Sequence, residues 1–164
     1  MENGLSAIFI GKLDSTGIID NLFGNNGFVM NPIWDVQGIR DLTLQTDGKI
    51  VAQGYSGDNG NYPLLIMRLN SNGTFDNSFG NNGNVTANAG YTIESGYFNC
   101  RTLINPNGKL ILVGETYSIY NPYIGNFEVM SLNNNGIIDT TACNQGFHTV
   151  DIDTANIDGS FDGA

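Results

Sequence analysis

Histidine is all but missing from this chain, and that absence limits its chemistry. His148 is the only one; a His-pair metal site is excluded and a Ser-His-Asp arrangement is hard to build. Its setting reads as a surface or edge position in an outer strand. Cations are scarce too: 6 Lys and Arg stand against 16 Asp and Glu, for a formal net charge of −10. A nucleic-acid binder needs clustered cations to displace phosphate counterions, so nucleic acid is not the expected partner, and an anionic membrane surface is disfavoured by the same repulsion. No apolar run is long enough to span a bilayer, so membrane insertion is not expected. Met1-Glu2-Asn3-Gly4 has no basic character and Ala7 to Ile10 is a short apolar run, so no signal peptide is read. Either the chain is not exported by that route or the segment belongs to a longer one. The two cysteines, Cys100 and Cys143, lack metal-ligand spacing and leave one disulfide or two free thiols as alternatives.

Glycine is what the chain has in quantity, 22 residues, together with abundant Asn, while charged residues make up only 13%. Gly is costly inside helices and Asn competes there for backbone hydrogen bonds. Both residues suit tight turns, and a hydrophobic content of 40% spread along the chain argues against disorder. The expected class is all-β.

Repeats carry the organisation. Leu13-Asp14-Ser15-Thr16-Gly17-Ile18-Ile19-Asp20 returns as Leu69-Asn70-Ser71-Asn72-Gly73-Thr74-Phe75-Asp76 and as Leu132-Asn133-Asn134-Asn135-Gly136-Ile137-Ile138-Asp139, at spacings of about 56 and 63 residues. The first two continue identically through Phe23-Gly24-Asn25-Asn26-Gly27 and Phe79-Gly80-Asn81-Asn82-Gly83. In these turns an Asp at position 20 or 76 caps a helical turn, the Phe plugs the gap beneath it and the Gly ends it. Between them, Asp47-Gly48-Lys49 and Asn107-Gly108-Lys109 lie between apolar runs and predict hairpins with type I′ turns. Leu64 to Met67 and Leu110 to Val113 read as strands covered on both faces, whereas Asn84 to Asn88 reads as a polar edge strand. The organisation expected is one repeat domain over 1–164, with a half blade at 1–37, blades at 38–97 and 98–155, and a tail at 156–164. That amounts to about two and a half four-stranded antiparallel propeller-type blades, against the four to eight of a closed ring.

These residues resemble the delta-60 repeat family. Its D-G-K-[IL]-[VL]-[VA]-x-G signature is matched at Asp47 to Gly54, and its R-L-N-x-[DN]-G-[ST]-[LF]-D-x-[ST]-F-G-x-x-G signature at Arg68 to Gly83. Weaker copies lie at Asn107 to Gly114 and Leu132 to Gly146, where Ala142-Cys143 replaces the Phe-Gly pair. The resemblance implies a propeller-type fold, often in secreted or surface proteins, and the strand count makes it a partial propeller or one completed by an oligomer. It implies no activity, no cofactor and no catalytic residue.

The remaining candidates for chemistry are thin. Glu128 interrupts an apolar strand and is expected to reach the wet edge rather than act as a tuned buried acid. Asp151, Asp153, Asp158 and Asp162 invite a Ca²⁺ reading, but Ala155 and Asn156 stand where an EF-hand loop needs a ligand and a glycine. Asn72-Gly73-Thr74 and Asn84-Val85-Thr86 are formal glycosylation sequons, expected by chance in so Asn-rich a chain. No motif places a carboxylate pair for hydrolysis. The expectation is a non-catalytic structural or interaction module without metal or cofactor, part of a surface, appendage or virion assembly, with protein partners or a homo-oligomer. The alternative is a carbohydrate- or small-ligand-binding fragment using loop tyrosines Tyr117, Tyr120 and Tyr123 to stack on a glycan.

Overall fold

The computed structural model describes residues 7–31, 36–56, 63–87, 99–117, 125–142 and 146–152. All regular structure among them is β, and every strand pairing is antiparallel. Strands β1 (Ile8–Gly11) and β2 (Phe28–Asn31) form a two-stranded sheet. β3 (Val36–Leu44), β4 (Ile50–Ser56), β5 (Leu64–Leu69) and β6 (Asn84–Ala87) follow as a four-stranded meander. β7 (Asn99–Ile104), β8 (Leu110–Tyr117), β9 (Gly125–Leu132) and β10 (Phe147–Ile152) repeat it. The polar segment starting at Asn84 lies at a sheet edge, and His148 is exposed on the edge strand β10.

The three sheets stack in chain order because alternate residues of each strand point to opposite faces. Ile8, Ile10 and Val29 of the first sheet pack with Ala52, Leu65, Met67 and Leu69 of the second, around Phe23. The opposite face of the second sheet, with Val51, Leu64 and Ile66, packs on Leu110, Leu112, Met130 and Leu132 of the third, around Phe79. All six residues of β5 are therefore buried, as its continuous apolar run requires. β8 differs: Leu110 and Leu112 are buried while Ile111 and Val113 are half-buried, so it is covered on one face and not on both as expected. A similar run of side chains has two neighbours in one sheet and one in the other.

Both hairpins form, β3–β4 and β7–β8, but not with type I′ turns. Among described non-glycine residues only Asn26 and Asn82 take positive φ, so Asp47 and Asn107 do not. Gly48 N–H donates to the Gln45 carbonyl and Gln45 N–H to the Lys49 carbonyl, with Gly48 at φ 82°. This is a three-residue loop in which the glycine alone takes the left-handed conformation. Gly108 repeats it at φ 77°.

The Asp–Phe–Gly turns follow the capping logic without becoming helical. Asp20 Oδ1 accepts Leu22 N–H and Asp76 Oδ1 accepts Ser78 N–H, both at 3.1 Å. Phe23 and Phe79 are fully buried, and Gly24 and Gly80 take φ 56° and 53°. Consecutive turns are clasped: Gly24 N–H donates to the Asn72 carbonyl at 2.7 Å, and Gly80 N–H to the Asn135 carbonyl at 2.8 Å. In the third copy Ala142 N–H keeps its bond to the Asp139 carbonyl, while Cys143 lies outside the described residues.

Candidate functional site

A concentration of polar side chains lies between the second and third sheets, at their turn ends, in a cleft of about 900 Å³. Its floor is Arg68, whose Nε donates to Asp76 Oδ2 at 2.7 Å, Nη1 to the Asn134 carbonyl at 2.7 Å and Nη2 to Ser78 Oγ at 3.4 Å. The guanidinium lies over the Phe79 ring, 4.4 Å from its centroid. Lys49, from the hairpin loop, reaches the same Asp76 Oδ2 at 3.1 Å. Asn105 and Asn107 line the opposite wall, where Asn107 accepts through its carbonyl from Asn134 Nδ2.

Asp76 is buried, which alone would push its carboxyl up. Donors from the Ser78 hydroxyl and backbone, from Lys49, and the Arg68 charge outweigh that cost and hold it well below the usual carboxylate range. The lock recurs in each copy: Lys12 pairs with Asp20 at 3.0 Å, and Lys109 with Asp139. Hydrogen bonds from Lys109 and then Thr141 lower the Asp139 carboxyl to about 2. A carboxylate saturated with donors has no proton to give near neutral pH, and a guanidinium with three protein acceptors has little left for an anion. The cleft's charges fasten turn to turn.

A second polar seam joins the sheets at β3 and β7, which touch. Asp41 accepts Thr102 N–H at 2.7 Å and pairs with Arg101 at 3.2 Å, Thr43 Oγ1 donates to the Thr102 carbonyl, and Thr102 Oγ1 donates to the buried Gln53 Oε1. Each bond satisfies a group that sheet stacking would otherwise strand.

The ligand-binding candidates read from the sequence fall largely outside the described residues. Tyr117 ends β8 with only its backbone described, and Tyr120 and Tyr123 lie outside the described residues. Cys100 lies in β7 with its backbone alone described, so its pairing with Cys143 falls outside them as well. Of the acidic tail only Asp151 belongs to a described strand. Among the described residues no group of three His, Cys, Asp or Glu is placed to hold a metal ion. No helix among them is long and apolar enough to cross a membrane. Glu128 corrects an expectation: it is buried, at 4% exposure, and does not reach the wet edge. It occupies the β9 position equivalent to Leu65 of β5, on the face that the second sheet covers. The Asp–cation locks escaped the sequence reading, although a cation directly before each of the first two Leu motifs was a visible signal.

With this geometry in place, comparison with known proteins adds one match. The profile of a family described as "Domain of unknown function (DUF5122) beta-propeller" matches residues 45–79. Those residues run from the β3–β4 hairpin loop through β5 to Phe79. The match supports a propeller-like repeat family and does not single out the delta-60 repeat. No curated protein and no solved structure matches the chain. A β-propeller match suggests an interaction module.

Proposed function

We propose that this chain is a non-catalytic structural and interaction module, built of about two and a half propeller-type blades and working within a larger surface, appendage or virion assembly. The observation that carries the reading is how the polar side chains are employed. Arg68, Lys49, Asp76, Lys109 and Asp139, the best-placed candidates for acid–base or anion chemistry, are bonded to one another across the turns. The described surface also leaves large apolar side chains exposed, among them Phe9, Leu13 and Met30 at one end of the stack and Leu103 at the other. Exposed apolar residues grouped on sheet faces mark interaction surfaces.

The test is a turnover screen with chromogenic esters, glycosides and phosphoesters, run on the wild-type chain and on Asp76→Asn. The expected result is hydrolysis at the buffer rate in both, with Asp76→Asn melting earlier. Turnover that disappears in a variant that stays folded would overturn the reading. A glycan array on the wild type and on a variant with Tyr117, Tyr120 and Tyr123 replaced by Ala separates the carbohydrate alternative.

A further inference from the structure

The inter-sheet contact is used twice inside this chain, with the same sidedness each time, and it leaves one half of itself unused at each end. Call the face that packs on the following sheet trailing, and the face that packs on the preceding sheet leading. The first sheet's trailing Ile8 and Ile10 meet the second sheet's leading Leu65, Met67 and Leu69. The second sheet's trailing Leu64 and Ile66 meet the third sheet's leading Leu110, Leu112, Met130 and Leu132. Among the described residues, the unused halves are the leading face of the first sheet and the trailing face of the third.

Equivalent positions show what those unused halves lack. Leu69 and Leu132 occupy the same leading position and are each 0% exposed beneath a preceding sheet, whereas their equivalent Leu13 is 56% exposed. Phe9, equivalent to the buried Leu65, is 66% exposed, with Met30 beside it in register. At the other end Ile111 and Val129 are half-buried, where their trailing equivalents Val51 and Ile66 are fully covered. Leu103, opposite Ile111 on β7, is 56% exposed.

The turns give an independent sign. A Cβ added at Gly73 would lie 2.6 Å from the Gly24 nitrogen, and one at Gly136 would lie 2.7 Å from Val85 Cγ2, so both glycines are pressed against the preceding repeat. Gly17, the equivalent in the first turn, keeps φ +85° yet has nothing within 4 Å of that Cβ. Thr16, equivalent to the clasped Asn72 and Asn135, has no preceding turn among the described residues to donate to its carbonyl.

We infer that the occupant of each open face is the opposite open face of a second copy of this chain. The trailing Ile111, Val113, Val129 and Leu103 of one copy receive the leading Phe9, Leu13 and Met30 of the next, in the same sense as the contact made twice within each chain but onto a two-stranded sheet where those contacts use a four-stranded one. Because two different patches meet, the contact is heterologous and propagates head to tail until it closes or is capped. The inference rests on the interaction-module reading and names its partner.

The test uses the whole chain. Phe9→Asp spoils only the leading face and Leu103→Asp only the trailing face, and both positions are more than half exposed in the single chain, so each variant is expected to fold. Circular dichroism and a thermal melt check that, with Leu13→Asp as a second leading-face variant. In sedimentation velocity at tens of micromolar, the wild type is expected to associate beyond a dimer, and each variant alone to weaken association by at least about tenfold. Mixed, the two variants are expected to form a one-to-one complex and stop, since Phe9→Asp retains a working trailing face and Leu103→Asp a working leading face. A wild type that stays monomeric overturns the inference, and so does a mixture that forms no complex or variants that associate like the wild type. A monomeric wild type with no turnover leaves the module reading standing. Association combined with specific turnover sinks that reading and leaves the docking intact.

Discussion

Alanine at three equivalent glycines measures the inter-repeat contact against an internal control. Gly17, Gly73 and Gly136 take φ of 85°, 85° and 77°, so alanine meets nearly the same backbone strain at each. A Cβ in the left-handed region costs about 1–2 kcal/mol, partly offset by the lower entropy of the unfolded chain. Gly17→Ala should therefore cost about 1 kcal/mol. At Gly73 the same methyl lies 2.6 Å and 2.9 Å from Gly24 N and Cα, backbone atoms that cannot swing away, and it crowds the Gly24–Asn72 hydrogen bond. Overpacking of about 1–3 kcal/mol and a weakened bond of about 0.5–1.5 kcal/mol give an excess of about 1.5–4.5 kcal/mol over Gly17→Ala. Gly136→Ala should fall between, since its neighbours, Val85 Cγ2 and the Phe79 ring, are side chains, though Phe79 is fully buried. Urea unfolding followed by circular dichroism, at concentrations low enough to keep single chains, reads these differences as midpoints at constant slope. Equal losses at Gly17 and Gly73 would refute the repeat alignment and the open leading face together.

Three further outcomes are expected. Phe23→Ala and Phe79→Ala each remove a ring that is 0% exposed and should cost about 3–5 kcal/mol, read by denaturant unfolding; losses under about 1 kcal/mol would remove the plug role. Gly48→Val and Gly108→Val put a β-branched residue at φ 82° and 77° and should both lower the melting temperature. The two losses should be similar, because the Asn134 Oδ1 that would lie 2.5 Å from a Cβ at position 108 ends an exposed side chain that can swing away, and Ser71 Cβ lies 3.3 Å from one at position 48. The Asp139 carboxyl is lowered to about 2 in the fold, so its stabilisation is present above the unfolded carboxylate pKa of about 3.9 and is lost as pH falls through about 2. Asp139→Asn should accordingly be less stable than wild type at neutral pH and converge with it near pH 2; a gap in melting temperature independent of pH would contradict the ion-pair lock.

Features fixed by a few adjacent residues were legible in the sequence. Gly48 and Gly108 mark hairpins whatever surrounds them, and Leu64 to Leu69 is apolar at nearly every step because both faces are covered. The turn type was not legible, because Asp-Gly serves a type I′ pair and a three-residue loop with one left-handed glycine equally well. Burial of the kind that depends on a neighbour was not legible either. Val51 and Ile111 share a motif position and chemistry, yet one is fully covered and the other is not. Glu128 misled for the same reason: a carboxylate in a strand reads as wet unless one knows that the face it occupies lies beneath another sheet. The Arg68–Asp76–Lys49 lock brings a hairpin loop onto a turn of the next strand connection, a juxtaposition made by the meander and not by sequence proximity.

Charge sets a limit on how two copies of this chain meet. Each carries a formal net charge of −10, so approach is opposed by a like-signed field over the whole surface. The faces proposed to meet present Phe9, Leu13 and Met30 on one side and Ile111, Val113 and Val129 on the other, the latter flanked on the edge strands by the exposed Arg101, which is paired with Asp41, and by His148. Repulsion between distant charges is screened within about 30 Å at 0.01 M salt and about 8 Å at 0.15 M, whereas burial of apolar area is little changed over that range. Head-to-tail association should therefore tighten as sodium chloride is raised from low to physiological ionic strength, by about tenfold if screening removes about 1.4 kcal/mol of repulsion. Sedimentation equilibrium at the two salt concentrations measures this directly. Association that weakens with salt would mean that opposite charges, with Arg101 on the trailing face as one partner, and not apolar burial hold the copies together.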